Sequence, residues 1–178
     1  EYDFILDMIR KENPVAQEAS IDAYTKSDFL DEVYITEKRY ESLVAVLRNK
    51  KNIILQGAPG VGKTFAARRL AWSMMGEKDD SRIEFVQFHQ NYSYEDFVMG
   101  YKPVADGFEL KHGVFYRFCQ KAANQPDKDF FFIIDEINRG NMSKIFGELL
   151  MLIERDYRGT KATLAYNGLS FSVPKNLY

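Results

Sequence analysis

The sequence predicts a parallel α/β fold, and three observations support this prediction. Strand-like and helix-like segments alternate through the middle of the chain, which is typical of a parallel sheet covered by helices. A glycine-rich stretch (57–62) separates a short apolar segment from a helix-like one. The uninterrupted apolar run from Phe130 to Ile134 is typical of a strand that is buried on both faces.

The elements before the glycine-rich stretch are predicted in order as follows. Residues 2–10 have apolar side chains at the spacing of a short amphipathic helix, and the polar residues 11–35 are predicted to be a linking arm. Thr36 can cap a helix over 37–50, in which apolar residues recur at helical spacing. Residues 52–56 then predict a short apolar strand.

The glycine-rich stretch is predicted to lead into a helix from Lys63 to about Met75, which Gly76 would end. Residues 83–89 alternate like a strand, and an aromatic loop is predicted over 91–103. The remaining elements are two hairpins and two helices: a hairpin at Asp106-Gly107, a helix over 114–123, a helix over about 143–154 and a hairpin over 162–173. Asn167-Gly168 suits a type I′ turn in the last hairpin.

Composition excludes several classes of protein. The 178 residues are 46% hydrophobic and 28% charged, which excludes a disordered chain. No apolar run approaches the ~20 residues that span a bilayer. A single cysteine, Cys119, excludes an internal disulfide and fits a reducing compartment such as the cytoplasm. The net charge of −2, without a dense Lys/Arg stripe, gives no sign of nucleic-acid binding. The chain begins at Glu1 without methionine and stops as a strand-like stretch begins, so we expect a piece of a longer protein.

The strongest motif is GAPGVGKT, which fits the phosphate-binding pattern G-x-x-x-x-G-K-[ST] between a predicted strand and a predicted helix. Glycines let the backbone bend around phosphates, and successive N–H groups at the helix start attract negative charge. Lys63 would reach the β- and γ-phosphates, and the Thr64 hydroxyl would ligate Mg²⁺. The candidate nucleotide-binding residues are Gly57, Ala58, Pro59, Gly60, Val61, Gly62, Lys63, Thr64 and Phe65.

A second motif, FFFIIDEIN, places two carboxylates after the apolar run. Asp135, at the carboxyl end of the strand, can hold the Mg²⁺ shell, and Glu136 can activate the attacking water as general base. A glutamate directly after the aspartate favours a motor-type ATPase or GTPase over a small-molecule kinase. The chain has neither the Asn-Lys-x-Asp motif of Ras-type guanine recognition nor the Leu-Ser-Gly-Gly-Gln signature of transporter ATPases.

Four blocks of sequence resemble AAA+ proteins of the McrB branch. They are GAPGVGKTFAARRLA (57–71), VQFHQNYSYEDFVMGYKP (86–103), VFYRFCQKA (114–122) and FFIIDEINRGNMSKIFGELLMLIE (131–154). The last block is the most specific, because a phosphate-binding ATPase does not in general require INRGN or SKIFGELL after its acidic pair. The resemblance covers about residues 36–178.

The resemblance implies an AAA+ three-layer αβα domain with parallel strands in the family order 5-1-4-3-2 and inserted β-hairpins. Residues 1–35 would be an N-terminal helix and arm, and 36–178 the first part of the AAA+ domain, with strands 4 and 5, sensor residues and the helical lid beyond Tyr178. We therefore expect this segment alone to turn over nucleotide poorly. The resemblance also implies a ring, typically a hexamer, GTP rather than ATP, a McrC-like endonuclease partner and DNA recognition by a separate domain.

Arg139 follows the acidic pair, and a guanidinium there could approach the phosphates bound by a neighbouring subunit. The alternative is a surface arginine that pairs with Glu148 or another carboxylate. The aromatic residues of 91–103 are interpreted as packing, although aromatics can also stack on bases. His89 and His112 share no metal-ligand spacing.

Two other functions are consistent with these motifs. One is an ATP-using AAA+ remodeller of the MoxR type, which has no DNA in its task. The other is a nucleotide-binding ring scaffold without catalysis, which the intact Lys63, Asp135 and Glu136 argue against.

Overall fold

The computed structural model of this chain describes residues 21–178. The helix predicted over 2–10 and the first part of the arm predicted over 11–35 lie outside these residues. The helices are α1 (Lys26–Glu32), α2 (Glu37–Lys50), α3 (Lys63–Met75), α4 (Tyr94–Phe97), α5 (Val114–Ala123) and α6 (Met142–Phe146). The strands are β1 (Ile83–Gln87), β2 (Met99–Val104), β3 (Gly107–His112), β4 (Phe131–Asp135), β5 (Ala162–Thr163) and β6 (Ser170–Phe171).

The predicted parallel sheet is confirmed by the pairing of β1 with β4, in which Ile83 lies beside Phe131 and Gln87 beside Asp135. Beyond β4, a second parallel contact begins at the chain's last residues. The N–H of Phe132 donates to the Tyr178 carbonyl at 2.9 Å, and the N–H of Tyr178 donates to the Phe130 carbonyl at 2.8 Å. β4 therefore has neighbours on both of its edges.

The strand predicted over 52–56 is not formed, because this segment has no ladder partner among residues 21–178. The residue directly before this segment lies next to the end of the chain, because the Lys51 ammonium is 3.9 Å from the centre of the Tyr178 ring. Exposure of 52–56 alternates along the segment, as in a strand.

Apolar side chains pack on both faces of the β1–β4 pair, which gives the three layers of an αβα fold. One cluster joins α1, α2 and α3 to Phe131. The other joins α5, α6 and the 147–153 segment to Val86 and Phe130. Neighbouring residues of a strand point to opposite faces, so Phe130 and Phe131 enter different clusters.

Helix α1 lies inside the segment that the sequence predicts as a linking arm. Thr25 caps it reciprocally with Asp28: each side chain bonds the other residue's backbone N–H, at 3.4 and 2.7 Å. Phe29 is buried against the ring of Tyr40 in α2, with centroids 4.9 Å apart. One buried aromatic residue among polar neighbours is too weak a pattern to predict a seven-residue helix.

The insertion between β1 and α5 contains more regular structure than the predicted aromatic loop. Helix α4 occupies 94–97, and the predicted hairpin at Asp106-Gly107 is confirmed by the antiparallel pairing of β2 with β3. Gly113 closes this hairpin, since its N–H donates to the Val98 carbonyl at 2.7 Å.

We expect Gly113→Ala to destabilise the fold by about 1–3 kcal/mol, the usual cost of overpacking. An added Cβ would lie 2.3 Å from the carbonyl carbon of Phe97 and 2.6 Å from the Val98 nitrogen. These are backbone atoms, which cannot relieve the clash by a change of rotamer. Urea unfolding measures the change. The exposed Ala123→Gly in the same helix, which costs at most ~1 kcal/mol, is the control. Equal effects of the two changes would contradict the expectation.

Two predictions in the C-terminal third were wrong in detail. The helix predicted over 143–154 stops at Phe146 and continues as 3₁₀ turns, because Gly147 has φ 52° and its missing Cβ makes room for the Tyr94 ring. The hairpin of β5 and β6 forms, but its turn is not type I′. A type I′ turn needs positive φ at both central residues, and only Gly168 of the Asn167-Gly168 pair has it.

Candidate nucleotide site

The phosphate-binding loop runs exposed from Gln56 to Gly62 and ends directly at the start of α3. Gly60 and Gly62 have φ of 79° and 78°, a left-handed conformation that other residues rarely adopt. No side chain caps the helix at Gly62, so the first-turn N–H groups of α3 are left to another acceptor. This backbone is suited to bind an anion.

Lys63 lies over the loop that precedes it. Its Nζ donates to the carbonyls of Gly57 at 3.0 Å and Ala58 at 2.8 Å. The loop therefore holds a positive charge at its mouth, beside the N-terminus of α3. Exposed carbonyls are weaker partners for an ammonium group than phosphate oxygens are, so an incoming phosphate can take over these bonds.

The loop and the acidic pair meet at Thr64 and Asp135. The Thr64 hydroxyl lies 3.2 Å from Asp135 Oδ2, although the two residues are 71 positions apart in the chain. Asp135 is the last residue of β4, and its other oxygen, Oδ1, accepts from the backbone N–H of Glu136 at 2.9 Å. The hydroxyl and the carboxylate are thus fixed at the carboxyl end of the parallel strands, where ligands bind in open α/β sheets.

The oxygen atoms of Thr64 and Asp135 fit a magnesium ion. Mg²⁺ is usually held by one or two carboxylates together with substrate phosphates, not by a cage made only of protein atoms. Residues 21–178 contain no group of three or more His, Cys, Asp or Glu side chains that could hold a metal on its own.

Glu136 has an unusual backbone for its residue type, with φ 51° in the left-handed region. Such a conformation costs of order 1–3 kcal/mol and is concentrated at functional sites. The residue precedes a 3₁₀ turn over Ile137–Arg139, and its carboxylate pairs with Arg139 at 2.8 Å. The carboxylate is about one-third exposed, so water can reach it.

The remaining loop residues are exposed, including Ala58, Pro59, Val61 and Phe65. The Arg69 guanidinium lies 3.3 Å from the centre of the Phe65 ring and also pairs with Glu32 of α1. No motif marks Arg69, and its position four residues after Phe65 is the sequence signal that could have found it.

Other residues considered from the sequence take structural positions. Phe97 is fully buried and stacks on Phe115 at 4.8 Å, in agreement with a packing role for the aromatic segment. The His89 ring contacts Tyr92, and the His112 ring stacks on Tyr116. Cys119 is buried, and burial raises the pKa of its thiol. None of the helices described here is long and apolar enough to cross a membrane.

Comparison with known proteins gives the family. A model of the AAA domain, dynein-related subfamily, matches residues 52–167. The chain is 52% identical over 162 residues to the EcoKMcrB subunit of a type IV methyl-directed restriction enzyme of Escherichia coli K12, covering 88% of this chain. It is 30% identical over 144 residues to component YdiS of the type II restriction enzyme BsuMI of Bacillus subtilis 168, covering 65% of this chain. The chain covers only 35% and 41% of these two relatives.

These matches confirm the resemblance to McrB proteins, and the phosphate-binding loop, the acidic pair and the parallel strands agree with them. The chain belongs to the AAA domain family, in its dynein-related subfamily.

Proposed function

We propose that this chain binds a nucleoside triphosphate and hydrolyses it to the diphosphate and phosphate as part of a ring-shaped motor. The contact between Thr64 and Asp135 is the observation that carries the proposal. It brings the first turn of α3, directly after the phosphate-binding loop, within hydrogen-bond distance of the end of β4. Binding of a metal-bound triphosphate needs this arrangement.

Each residue of the site has a role in this proposal. The backbone N–H groups of 57–65, apart from Pro59, which has none, bind phosphate oxygens, and Lys63 neutralises charge on the β- and γ-phosphates. Thr64 and Asp135 would hold Mg²⁺, which offsets negative charge on the phosphates when bound. Glu136 accepts a proton from the attacking water, which then adds to the γ-phosphorus as the bond to the diphosphate oxygen breaks.

The similarity to restriction subunits supports a finer proposal about the whole protein. We propose that GTP is the preferred nucleotide, that the ring is a hexamer in the cytoplasm and that hydrolysis serves a McrC-like endonuclease. DNA would be bound by a separate domain. A role of Arg139 at a neighbour's phosphates stays a prediction. Tighter binding of ATP would favour a remodeller of the MoxR type.

Binding of nucleotide is the first test. We expect the full-length protein to bind GTP at least tenfold more tightly than ATP by calorimetry with Mg²⁺, a difference of about 1.4 kcal/mol. Lys63→Ala should lose most of this binding, because the ammonium group at the loop mouth is removed.

The exposed Lys38→Ala, in the first turn of α2, is the matched control and should bind as the unchanged protein does. Equal binding by Lys63→Ala and the unchanged protein would refute nucleotide binding at this loop. Equal or tighter binding of ATP would refute the preference for GTP alone.

A further inference from the structure

The turn after β4 brings the side chains of Glu136 and Arg139 together. The backbone N–H of Arg139 donates to the Glu136 carbonyl at 2.8 Å, which closes a 3₁₀ turn. Residues three apart in such a turn lie on the same side. Arg139 Nε accordingly lies 2.8 Å from Glu136 Oε2, and the two side chains form an ion pair. The proposed general base therefore has a cationic partner in its own chain.

This turn is fixed to the end of β1. The N–H of Phe88 donates to the Asp135 carbonyl at 2.9 Å, directly before Glu136. Directly after Arg139, Gly140 packs so closely that an added Cβ would lie 2.8 Å from the Phe88 ring and 2.6 Å from Ile145. The backbone is thus held at one end of the turn by a hydrogen bond and at the other by packing, and neither contact involves the ion pair.

Arg139 also borders an open cleft of about 460 Å³, which it lines together with His89, Gln90 and Asn91. None of these neighbours is a carboxylate, and among the described residues the Nη atoms of Arg139 make no hydrogen bond. The cleft follows β1, whereas Thr64 and the phosphate-binding loop contact β4 by way of Asp135. Among the described residues, Glu136 is therefore the carboxylate that pairs with the Arg139 guanidinium.

We propose that Arg139 is a positioning residue that acts on Glu136 within its own subunit. The proposal rests on the proposed function, because it assigns Arg139 to the general base of that reaction. Glu136 has a long, partly exposed side chain, which without a partner would adopt several rotamers in contact with water. The guanidinium restricts the carboxylate to one orientation, and a misplaced catalytic group lowers turnover without changing how the phosphates are bound.

Single variants of the full-length protein give the first part of the test. Arg139→Ala should lower kcat by roughly tenfold or more, while nucleotide affinity stays within about twofold. Exposed ion pairs contribute little to stability, so the melting temperature should not change. Arg139→Lys should restore part of kcat, since it keeps the charge but not the planar fork. Arg48→Ala, exposed at the end of α2, is the control.

Mixing two variants separates action within a subunit from action across a boundary. In mixed rings, an Arg139→Ala subunit keeps Glu136, and a neighbouring Glu136→Gln subunit keeps Arg139. If Arg139 acts within its own chain, both kinds of site are defective and the mixture stays as inactive as the separate variants. If Arg139 acts across the boundary, the mixture regains activity, and that result would overturn the proposal.

Two further results bear on the same proposal. An unchanged kcat in Arg139→Ala would also overturn it. A mixture of Glu136→Gln with the unchanged protein shows that subunits mix if its activity falls more steeply than in proportion to the fraction of variant. Failure of the proposed function itself looks different: Glu136→Gln would then hydrolyse nucleotide as the unchanged protein does.

Discussion

Glu136→Gln is expected to lower the rate of nucleotide hydrolysis by about 10²–10⁴-fold while nucleotide binding is retained, because general-base catalysis contributes this much. An amide cannot accept the proton of the attacking water. It has nearly the same shape as the carboxylate, and the turn over 136–139 is closed by the backbone bond from the Arg139 N–H to the Glu136 carbonyl, so the turn should be kept. Phosphate release measured under saturating nucleotide reports the rate, and calorimetry reports the binding.

The matched control for this prediction is Glu148→Gln, which changes a carboxylate that lies outside the site. Glu148 accepts from the Tyr94 hydroxyl at 2.7 Å and from the Ala165 N–H at 3.2 Å, both of which a glutamine oxygen can accept. We expect turnover by Glu148→Gln to stay within about twofold. A Glu136→Gln protein that hydrolyses nucleotide at the normal rate would instead favour the alternative function, a nucleotide-binding ring scaffold without catalysis.

The geometry of the candidate site could be predicted from the sequence because its parts are local. The spacing of GAPGVGKT fixes a loop at the start of one helix, and an acidic pair after an apolar run fixes the end of one strand. The contact between Thr64 and Asp135 then follows from the parallel α/β arrangement. The pairing of Arg139 with Glu136 needed the structure, since the sequence left several carboxylates open as partners.

The missed elements depend on contacts between distant residues. Residues 52–56 alternate like a strand, but a strand exists only where a second backbone supplies hydrogen bonds. The helix predicted over 143–154 ends at Gly147 because Tyr94, 53 positions earlier, occupies the space of a side chain there. The pattern of apolar residues in the sequence shows neither the lack of a strand partner nor the contact with Tyr94.

Arg158 is another residue that no motif marks, and it joins three separate segments of the chain. It is only 7% exposed, and its guanidinium donates to the carbonyl of Ile153 at 2.8 Å, the carbonyl of Leu177 at 2.9 Å and the side-chain oxygen of Asn52 at 3.0 Å. No carboxylate pairs with it among the described residues. Burial lowers its pKa to about 10.

We expect Arg158→Met to lower the free energy of unfolding by about 1–3 kcal/mol, the usual cost of a buried acceptor without its donor. A methionine of similar length fills the space but leaves the buried Leu177 carbonyl without the donor that Arg158 supplies. Relief of the buried charge offsets part of this loss. Arg155→Ala, three residues earlier and exposed, should change stability by less than about 1 kcal/mol. Urea unfolding of the full-length protein measures both, and equal midpoints for the two variants would contradict the expectation.

The same variant should also weaken nucleotide binding, because Arg158 bonds the residue that begins the segment leading into the phosphate-binding loop. Asn52 is held twice: its oxygen accepts from Arg158, and its Nδ2 donates to the Ile153 carbonyl at 2.7 Å. Since 52–56 has no strand partner among residues 21–178, these two bonds and the packing of Ile53 hold the segment in place. Calorimetry with GTP and Mg²⁺ should therefore show weaker binding by Arg158→Met than by the control Arg155→Ala. Equal affinities of the two variants would mean that Arg158 stabilises the protein without positioning the loop.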